Sequence, residues 1–242
     1  MSRKEEELSF FQLRQDIRRS ADKNRVAVLE RFFKTGKGEY GEGDVFVGLT
    51  VPQSRALAKK YFSALSLQDI EKLLNSKIHE ERLISLLMLL AQFQKADSAQ
   101  QGRLYRFYLK NAKKVNNWDL VDTSAPGIVG VYLQDRPRQV LYKLARSQNI
   151  WERRIAILST FHFIYKKESQ DTLKLARILL HDPEDLIQKA VGWMLREVGK
   201  RVCEKDLTVF LDQYAQEMPR TMLRYSIERL NPAQKKKYLK RK

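Results

Sequence analysis

Apolar residues recur at helical spacing in three segments of the chain. Each segment begins with charged or aromatic residues and continues as an apolar stretch: His79–Met88, Ile150–Leu158 and Leu186–Trp193. Amphipathic stretches such as Leu104–Leu109 and Leu173–Leu180 precede such segments. Because residues three or four apart share one face of a helix, this pattern predicts pairs of helices that repeat along the chain.

The spacing of the repeated positions is regular. Trp118 follows Arg82 by 36 residues, Arg154 follows Trp118 by 36, Gln188 comes 34 later, and Arg224 another 36 later. This period is close to that of tandem helical arrays, whose units bury their apolar faces only against neighbours. The sequence therefore predicts an all-α helical-repeat solenoid with a concave surface.

Local signals place some of the helix boundaries. Thr50 is suited to cap a helix that opens at Val51, and Asp171 is suited to cap one that runs through Leu180. These positions predict where two of the helices begin.

The glycines are concentrated in the stretch 35–43, which we interpret as a loop between an N-terminal helical pair and the array. We treat residues 1–242 as one domain and expect the basic residues 235–242 to be frayed.

The chain is strongly basic, with 46 Lys and Arg against 29 Asp and Glu and a formal net charge of +17. Six of these cations lie in residues 235–242, so the rest of the chain is basic as well. Phosphates bind Lys and Arg with release of counterions, which favours nucleic acid as the partner. A solvated basic surface, or contact with ribosomes or anionic lipid, is the alternative.

Several classes of chemistry find no support in the residues. The single cysteine, Cys203, excludes an intrachain disulfide framework and a zinc site of several cysteines. His79, His162 and His181 do not have the spacing of metal ligands, and the chain has no Walker-type, GxGxxG or GxSxG motif. We expect no metal and no cofactor.

The sequence gives no sign of a membrane protein. The first residues lack the apolar core of a signal peptide, and the strongly apolar segment Leu83–Leu90 is far shorter than the roughly 20 residues of a spanning helix. We expect a cytoplasmic protein that does not enter membranes.

Trp118 and Asp122 form the most informative pair in the chain. In a helix, residues four apart lie on one face, so an aromatic plane would stand beside a carboxylate. Such a pair suits a flat cation, and an alkylated base in DNA joins a cation to the polyanion that a basic surface expects. Alternatively, Trp118 is an ordinary core residue and Asp122 caps the segment that follows it.

Further cations and an aromatic residue lie on later segments. Trp193, Arg196 and Lys200 share one helical face, which would form an aromatic wall beside phosphate-binding groups, or else a solvated face. For the pair Arg153 and Arg154, we expect one to bind an acid of a neighbouring repeat and the other to face phosphate. We assign all four cations to DNA binding.

Four segments together resemble one known family. They are Phe46–Arg55, Asn117–Asp122, Trp151–Ile157 and Ile187–Glu197. In these the chain resembles the AlkD-type DNA alkylation-repair glycosylases, which are built from HEAT-like helical repeats. The resemblance spans most of the chain.

The resemblance implies roles for particular residues. Trp118, Asp122 and Trp193 would form the lesion site, and Arg154 would help to hold the DNA backbone. The implied activity is that of a monofunctional 3-methyladenine and 7-methylguanine DNA glycosylase, which removes cationic N3- and N7-alkylated purines from duplex DNA without flipping the base. Asp122 would stabilise the oxocarbenium-like sugar, and no metal would take part.

These expectations define the partner and the competing hypotheses. The expected partner is double-stranded DNA with alkylated bases, bound by a monomer that is associated with the nucleoid and needs no obligate protein partner. A non-catalytic HEAT-like scaffold that binds DNA or RNA is the main alternative. An adaptor between proteins is a further one, because helical arrays also bind peptides.

Overall fold

The computed structural model describes residues 3–240 of the chain, and the side chains of residues 9–240. This part of the chain contains fourteen α-helices and no β-strand, as the apolar pattern predicts. The helices are α1 (Arg3–Arg19), α2 (Lys23–Phe32), α3 (Val51–Tyr61), α4 (Leu67–Leu74), α5 (His79–Lys95), α6 (Ser98–Lys110), α7 (Trp118–Ala125), α8 (Gln139–Leu144), α9 (Ile150–Tyr165), α10 (Gln170–Ile178), α11 (Asp185–Arg201), α12 (Glu204–Tyr214), α13 (Arg220–Ile227) and α14 (Pro232–Leu239).

The contacts divide the chain into two compact units, Met1–Ser124 and Ala125–Lys242. In the first unit α5 is the central helix and packs against α3 and α4. Its residues 83–89 are all buried, because this stretch is apolar on every side apart from Ser85. That one domain spans the whole chain stays a prediction.

The second unit is organised around α9 and α11, which pack against each other. Helix α11 also packs against α13, and Gly192 makes this approach possible. A Cβ atom at Gly192 would lie 2.5 Å from Cβ of Tyr225 and 2.6 Å from the carbonyl oxygen of Met222. The close contact fixes the part of α11 that carries Trp193.

The predicted repeat has a structural basis at the start of three helices. In each, a side chain donates a backward hydrogen bond to the carbonyl group six residues earlier. The pairs are Arg82 to Ser76 (2.9 Å), Arg153 to Ser147 (2.9 Å) and Gln188 to Asp182 (3.0 Å). The side chains of the three acceptor residues in turn accept the N–H group two residues further on, each at 3.0 Å.

This geometry corrects the alignment of the repeats. The sequence spacing places Trp118 and Arg154 in the position of Arg82, but Arg153 makes the contacts that Arg82 makes. Trp118 is the first residue of α7, whereas Arg82 is the fourth of α5. The predicted match of Trp118 and Arg154 to Arg82 was wrong because the length of the repeat varies. A fixed period therefore misses the equivalent residue by one position or more.

The two predicted caps have different outcomes. Thr50 caps α3 as predicted, in a reciprocal capping box with Gln53. The prediction for Asp171 was wrong, because Ser169 is the residue before α10 and the helix ends at Ile178. Asp171 instead accepts hydrogen bonds from Arg138 (2.7 Å) and from Tyr142, partners that only the folded chain brings near.

The predicted loop at residues 35–43 is present, since no helix or strand is assigned there. The prediction of a frayed tail was wrong for residues 235–239, which belong to α14. This helix begins with a capping box between Asn231 and Gln234 and buries Tyr238. Residues 241 and 242 lie outside the described part of the chain.

No helix in residues 3–240 is both long enough and apolar enough to cross a bilayer.

Candidate functional site

Helix α7 places Trp118 and Asp122 on one face, four residues apart. The helix begins where the side chain of Asn117 accepts the N–H of Trp118 at 2.8 Å. After Ala125 the chain continues as a π-helical turn, Pro126–Gly130. Pro126 has no N–H to continue the α-helical hydrogen bonds, and π turns are frequent at functional sites.

Asp122 lies inside α7 and does not serve as the cap of the segment that follows. The position before the π turn belongs to Ala125, and no side chain bonds to the turn there. The side chain of Asp122 is half-buried. Its charge contributes to the raised pKa of the fully buried Tyr108, although burial is the largest cause. A carboxylate on this face is therefore partly shielded from water.

Two buried hydroxyl groups hold α7 in place on the side away from Asp122. The hydroxyl of Ser124 donates to the carbonyl of Leu120 at 2.6 Å, and Tyr108 on α6 shares a hydrogen bond of 2.9 Å with that hydroxyl. Both side chains are buried. The contacts hold the helix of Asp122 against α6.

Trp118 is half-buried and belongs to an aromatic cluster, not to the deep core. Its ring stacks on Phe33, with centroids 5.3 Å apart and 14° between the planes. The ring of Phe32 meets it edge-on at 5.7 Å, and Phe32 is 61% exposed. The cluster supports one side of the indole within reach of solvent.

Two further rings extend this cluster toward α5. Phe33 stacks on Phe46 at 5.0 Å, and the imidazole of His79 stacks on Phe46 at 4.7 Å. His79 is also 4.7 Å from Phe33. The four rings of Phe33, Phe46, His79 and Trp118 form what we call the aromatic stack.

The imidazole of His79 lies between two carboxylates. Its Nδ1 is 3.1 Å from Asp44 and its Nε2 is 2.8 Å from Asp119. Burial lowers the pKa of His79, but the hydrogen bonds to Asp119 and Asp44 outweigh it, so the pKa is raised. Arg82 also contacts Asp44 at 2.7 Å, and Asn117 donates to Asp44 at 3.2 Å.

The pKa of Asp44 is shifted in the opposite direction. Burial would raise it, but the hydrogen bond to His79, the charge of Arg82 and the hydrogen bond from Asn117 together lower the pKa below its usual value. The side chains of His79, Asp44 and Arg82 are almost completely buried. This group of charges is therefore internal.

In the second unit, Trp193 lies half-buried on α11 with Arg196 and Lys200 on the same face. The ring of Phe161 on α9 is 5.6 Å from that of Trp193, tilted by 49°. Arg196 pairs with Glu228 and with Glu197. Lys200 is exposed.

Arg153 and Arg154 both have protein partners. Arg153 forms a salt bridge of 2.7 Å with the buried Asp182, which lies between α10 and α11. This confirms that one member of the pair binds an acid from the next helical segment. Arg154 is buried and donates to the carbonyl of Leu186 at 2.6 Å. Its role toward phosphate stays a prediction.

The predicted role of Lys200 in binding phosphate implies that Lys200→Ala weakens DNA binding by one phosphate contact. We expect the slope of log K against log salt to become shallower by about 0.9, because one counterion fewer is released. Fluorescence anisotropy with duplex DNA at several salt concentrations measures this slope. Lys174→Ala on α10 removes another exposed lysine and should leave the slope unchanged; equal slopes for both variants would contradict the prediction.

Sequence reasoning did not find several residues that support this site. The sequence does not mark Asp44 or Phe33 as site residues, and it includes Phe46 and Asp119 only within the segments that resemble the family. For His79 it indicates the start of a helical segment and excludes the spacing of metal ligands. In residues 3–240 no group of three His, Cys, Asp or Glu is arranged to hold a metal. The proximity of Asp119 to Trp118 was a usable signal, whereas the contacts of Phe33 with His79 are visible only in the fold.

These helices and their repeated start geometry define a helical-repeat protein. A family model described as DNA alkylation repair enzyme matches residues 13–230. The chain belongs to the DNA alkylation repair enzyme family, and this membership supports a role in DNA repair.

A solved protein structure is similar in fold. It is described as a predicted DNA alkylation repair enzyme from Enterococcus faecalis, with a TM-score of 0.69 and 18% sequence identity. The match covers 88% of this chain and 98% of the other. None of the curated proteins matches the chain.

Proposed function

We propose that the protein is a DNA glycosylase that removes cationic N3- and N7-alkylated purines from duplex DNA in base excision repair. The main observation that supports this proposal is the pair on α7, where Trp118 and the half-buried Asp122 share one face. An aromatic plane beside a shielded carboxylate suits a ligand that is flat and positively charged. Family membership supports the link to alkylated DNA.

The leaving group in this reaction is already activated. Alkylation at a ring nitrogen gives the purine a positive charge, so the electron pair of the C1′–N9 bond moves to the base and neutralises it. No general acid has to protonate the base. Water then bonds to C1′ and loses its proton, and the products are the free alkylpurine and an abasic sugar.

Asp122 acts on the charge that develops during this step. As the bond to C1′ breaks, the deoxyribose becomes oxocarbenium-like, as in other glycoside hydrolyses. A carboxylate that is partly shielded from water stabilises such a charge more strongly than an exposed one does, and it can orient the attacking water. Trp118 contacts the cationic base beside Asp122 and contributes about 0.5–2 kcal/mol through a cation–π contact, and Trp193 keeps its predicted role in substrate binding.

The base stays stacked in the duplex during this reaction. The basic surface supplies the attraction to DNA, and Arg153, Arg154, Arg196 and Lys200 are assigned to its backbone. Because Arg153, Arg154 and Arg196 also bind protein groups, Lys200 is the member of this set for which we expect the clearest phosphate contact. The protein would act as a monomer, without a metal, on nucleoid DNA in the cytoplasm.

The test is release of base from a duplex with a single 7-methylguanine, compared with a duplex that carries uracil. We expect release of 7-methylguanine in the presence of EDTA and none of uracil, because only the alkylated base is cationic. Equal excision of uracil would contradict the mechanism. No release, together with tight and salt-sensitive DNA binding, would favour the non-catalytic scaffold.

A further inference from the structure

The two carboxylate contacts of His79 suit a ring that donates from both nitrogens. Asp44 and Asp119 are carboxylates, which accept hydrogen bonds when ionised, and each is within hydrogen-bond distance of one nitrogen. Only the imidazolium form donates at both positions. Arg82 is the other charged group that faces the ring, at 3.4 Å from Nδ1, and it is itself paired with Asp44.

These two hydrogen bonds connect three separate parts of the first unit. Asp44 follows the loop at residues 35–43, His79 is the first residue of α5, and Asp119 is the second of α7. Since His79 is only 2% exposed and its partners 6% and 14%, the bonds are formed away from bulk water. In such surroundings they hold the orientation of the ring firmly.

Ring contacts connect the imidazole of His79 to Trp118. His79 packs against both Phe46 and Phe33 at 4.7 Å. Phe33 is nearly parallel to the indole of Trp118. Asp119 adds a second route, because it is the neighbour of Trp118 in the chain and its Oδ1 accepts the N–H of Leu120 at 2.9 Å.

We propose that His79, held between Asp44 and Asp119, is a positioning residue that fixes the plane of Trp118. It is buried and does not contact the DNA. The aromatic stack transmits its position, so the indole is oriented before a substrate arrives. The role in catalysis rests on the proposed function, whereas the role in orienting Trp118 does not.

The test compares Asp119→Ala with Asp119→Asn. Alanine removes the partner of Nε2. Asparagine keeps the oxygen that binds Leu120, and its amide group can donate to the Nε2 of a neutral His79, whose Nδ1–H then donates to Asp44. The readout is the indole N–H signal of Trp118 in a ¹H–¹⁵N NMR spectrum, assigned with Trp118→Phe.

We expect the Trp118 signal to shift and broaden in Asp119→Ala and to lie near its wild-type position in Asp119→Asn. The signals of Trp151 and Trp193, which lie in the second unit, should not move and report that this unit is folded, and a Trp118 signal near its wild-type position in Asp119→Asn reports the same for the first unit. Phe33→Leu, which interrupts the aromatic stack but keeps both carboxylates, should move the Trp118 signal as well. An unmoved Trp118 signal in Asp119→Ala, or a failure of asparagine to restore it, would overturn the proposal.

Base release provides a second readout. With Asp122 intact, Asp119→Ala should slow release of 7-methylguanine about tenfold or more, since small misplacements of a binding group are costly, and Asp119→Asn should restore most of the rate. Wild type that releases no base would overturn the proposed function alone, because the NMR comparison still decides the role of His79. A rate that is unchanged in Asp119→Ala, in an active protein, would contradict the catalytic part.

Discussion

Asp122→Asn should leave DNA binding intact or tighter and slow the release of 7-methylguanine by about 10²- to 10³-fold. This is the size of effect seen when one group that stabilises transition-state charge is removed. Asparagine keeps the shape of the side chain on α7 but cannot stabilise an oxocarbenium-like sugar. Single-turnover base release, with enzyme in excess over a duplex that carries one lesion, measures the chemical step.

A matched control separates this effect from the change in net charge. Glu42→Gln adds the same charge in the loop after α2, where the side chain is exposed and binds the N–H of Gly38. We expect it to retain full activity. If Asp122→Asn loses DNA binding and base release together, the carboxylate is structural and its assigned role is wrong.

Glu80→Ala should lower the free energy of unfolding by roughly 3 kcal/mol or more, because a buried charge-assisted network would be broken. The carboxylate of Glu80 is buried and accepts the N–H groups of Val47, Gly48 and Leu49, the shortest at 2.8 Å. Alanine leaves these donors without their acceptor. Urea denaturation followed by circular dichroism measures the change.

The backbone around Gly48 is tightly packed, which limits how far the segment can adjust to this loss. Gly48 has φ of +91°, and a Cβ atom there would lie 2.0 Å from the carbonyl oxygen of Asp22. Glu71→Ala serves as the control, since its pair with the exposed Lys110 is at the surface and should contribute at most about 1 kcal/mol. Similar losses in the two variants would contradict the special role of Glu80.

Much of the helical framework could be predicted from the sequence. The segments that begin near His79, Ile150 and Leu186 are helices in the structure, because their apolar spacing is strong and local. The pairing of Trp118 with Asp122 followed from their spacing within one helix. The cap at Thr50 was predicted from the residue type at the start of the helix, and the structure adds Gln53, three residues away, as its partner.

The partners of charged side chains could not be predicted in this way. Aspartate is a common residue type at helix caps, yet Asp171 accepts a hydrogen bond from Arg138, which lies 33 residues earlier in the chain. Arg153 binds Asp182 across a similar distance in sequence. Such pairs depend on how helices pack, and the pattern of apolar residues does not specify which polar groups come together. Arg82 and Arg153 could not be matched by a fixed period either, because the repeat length varies.

The backward hydrogen bonds of Arg82, Arg153 and Gln188 bear on the order in which the chain folds. Each joins groups only six residues apart, and loops of about ten residues close in roughly 10–100 ns. Contacts between distant helices must first overcome a larger loss of chain entropy. These hydrogen bonds can therefore form at the starts of α5, α9 and α11 before the neighbouring helices dock. The positions where these helices begin can then persist in a partly folded chain.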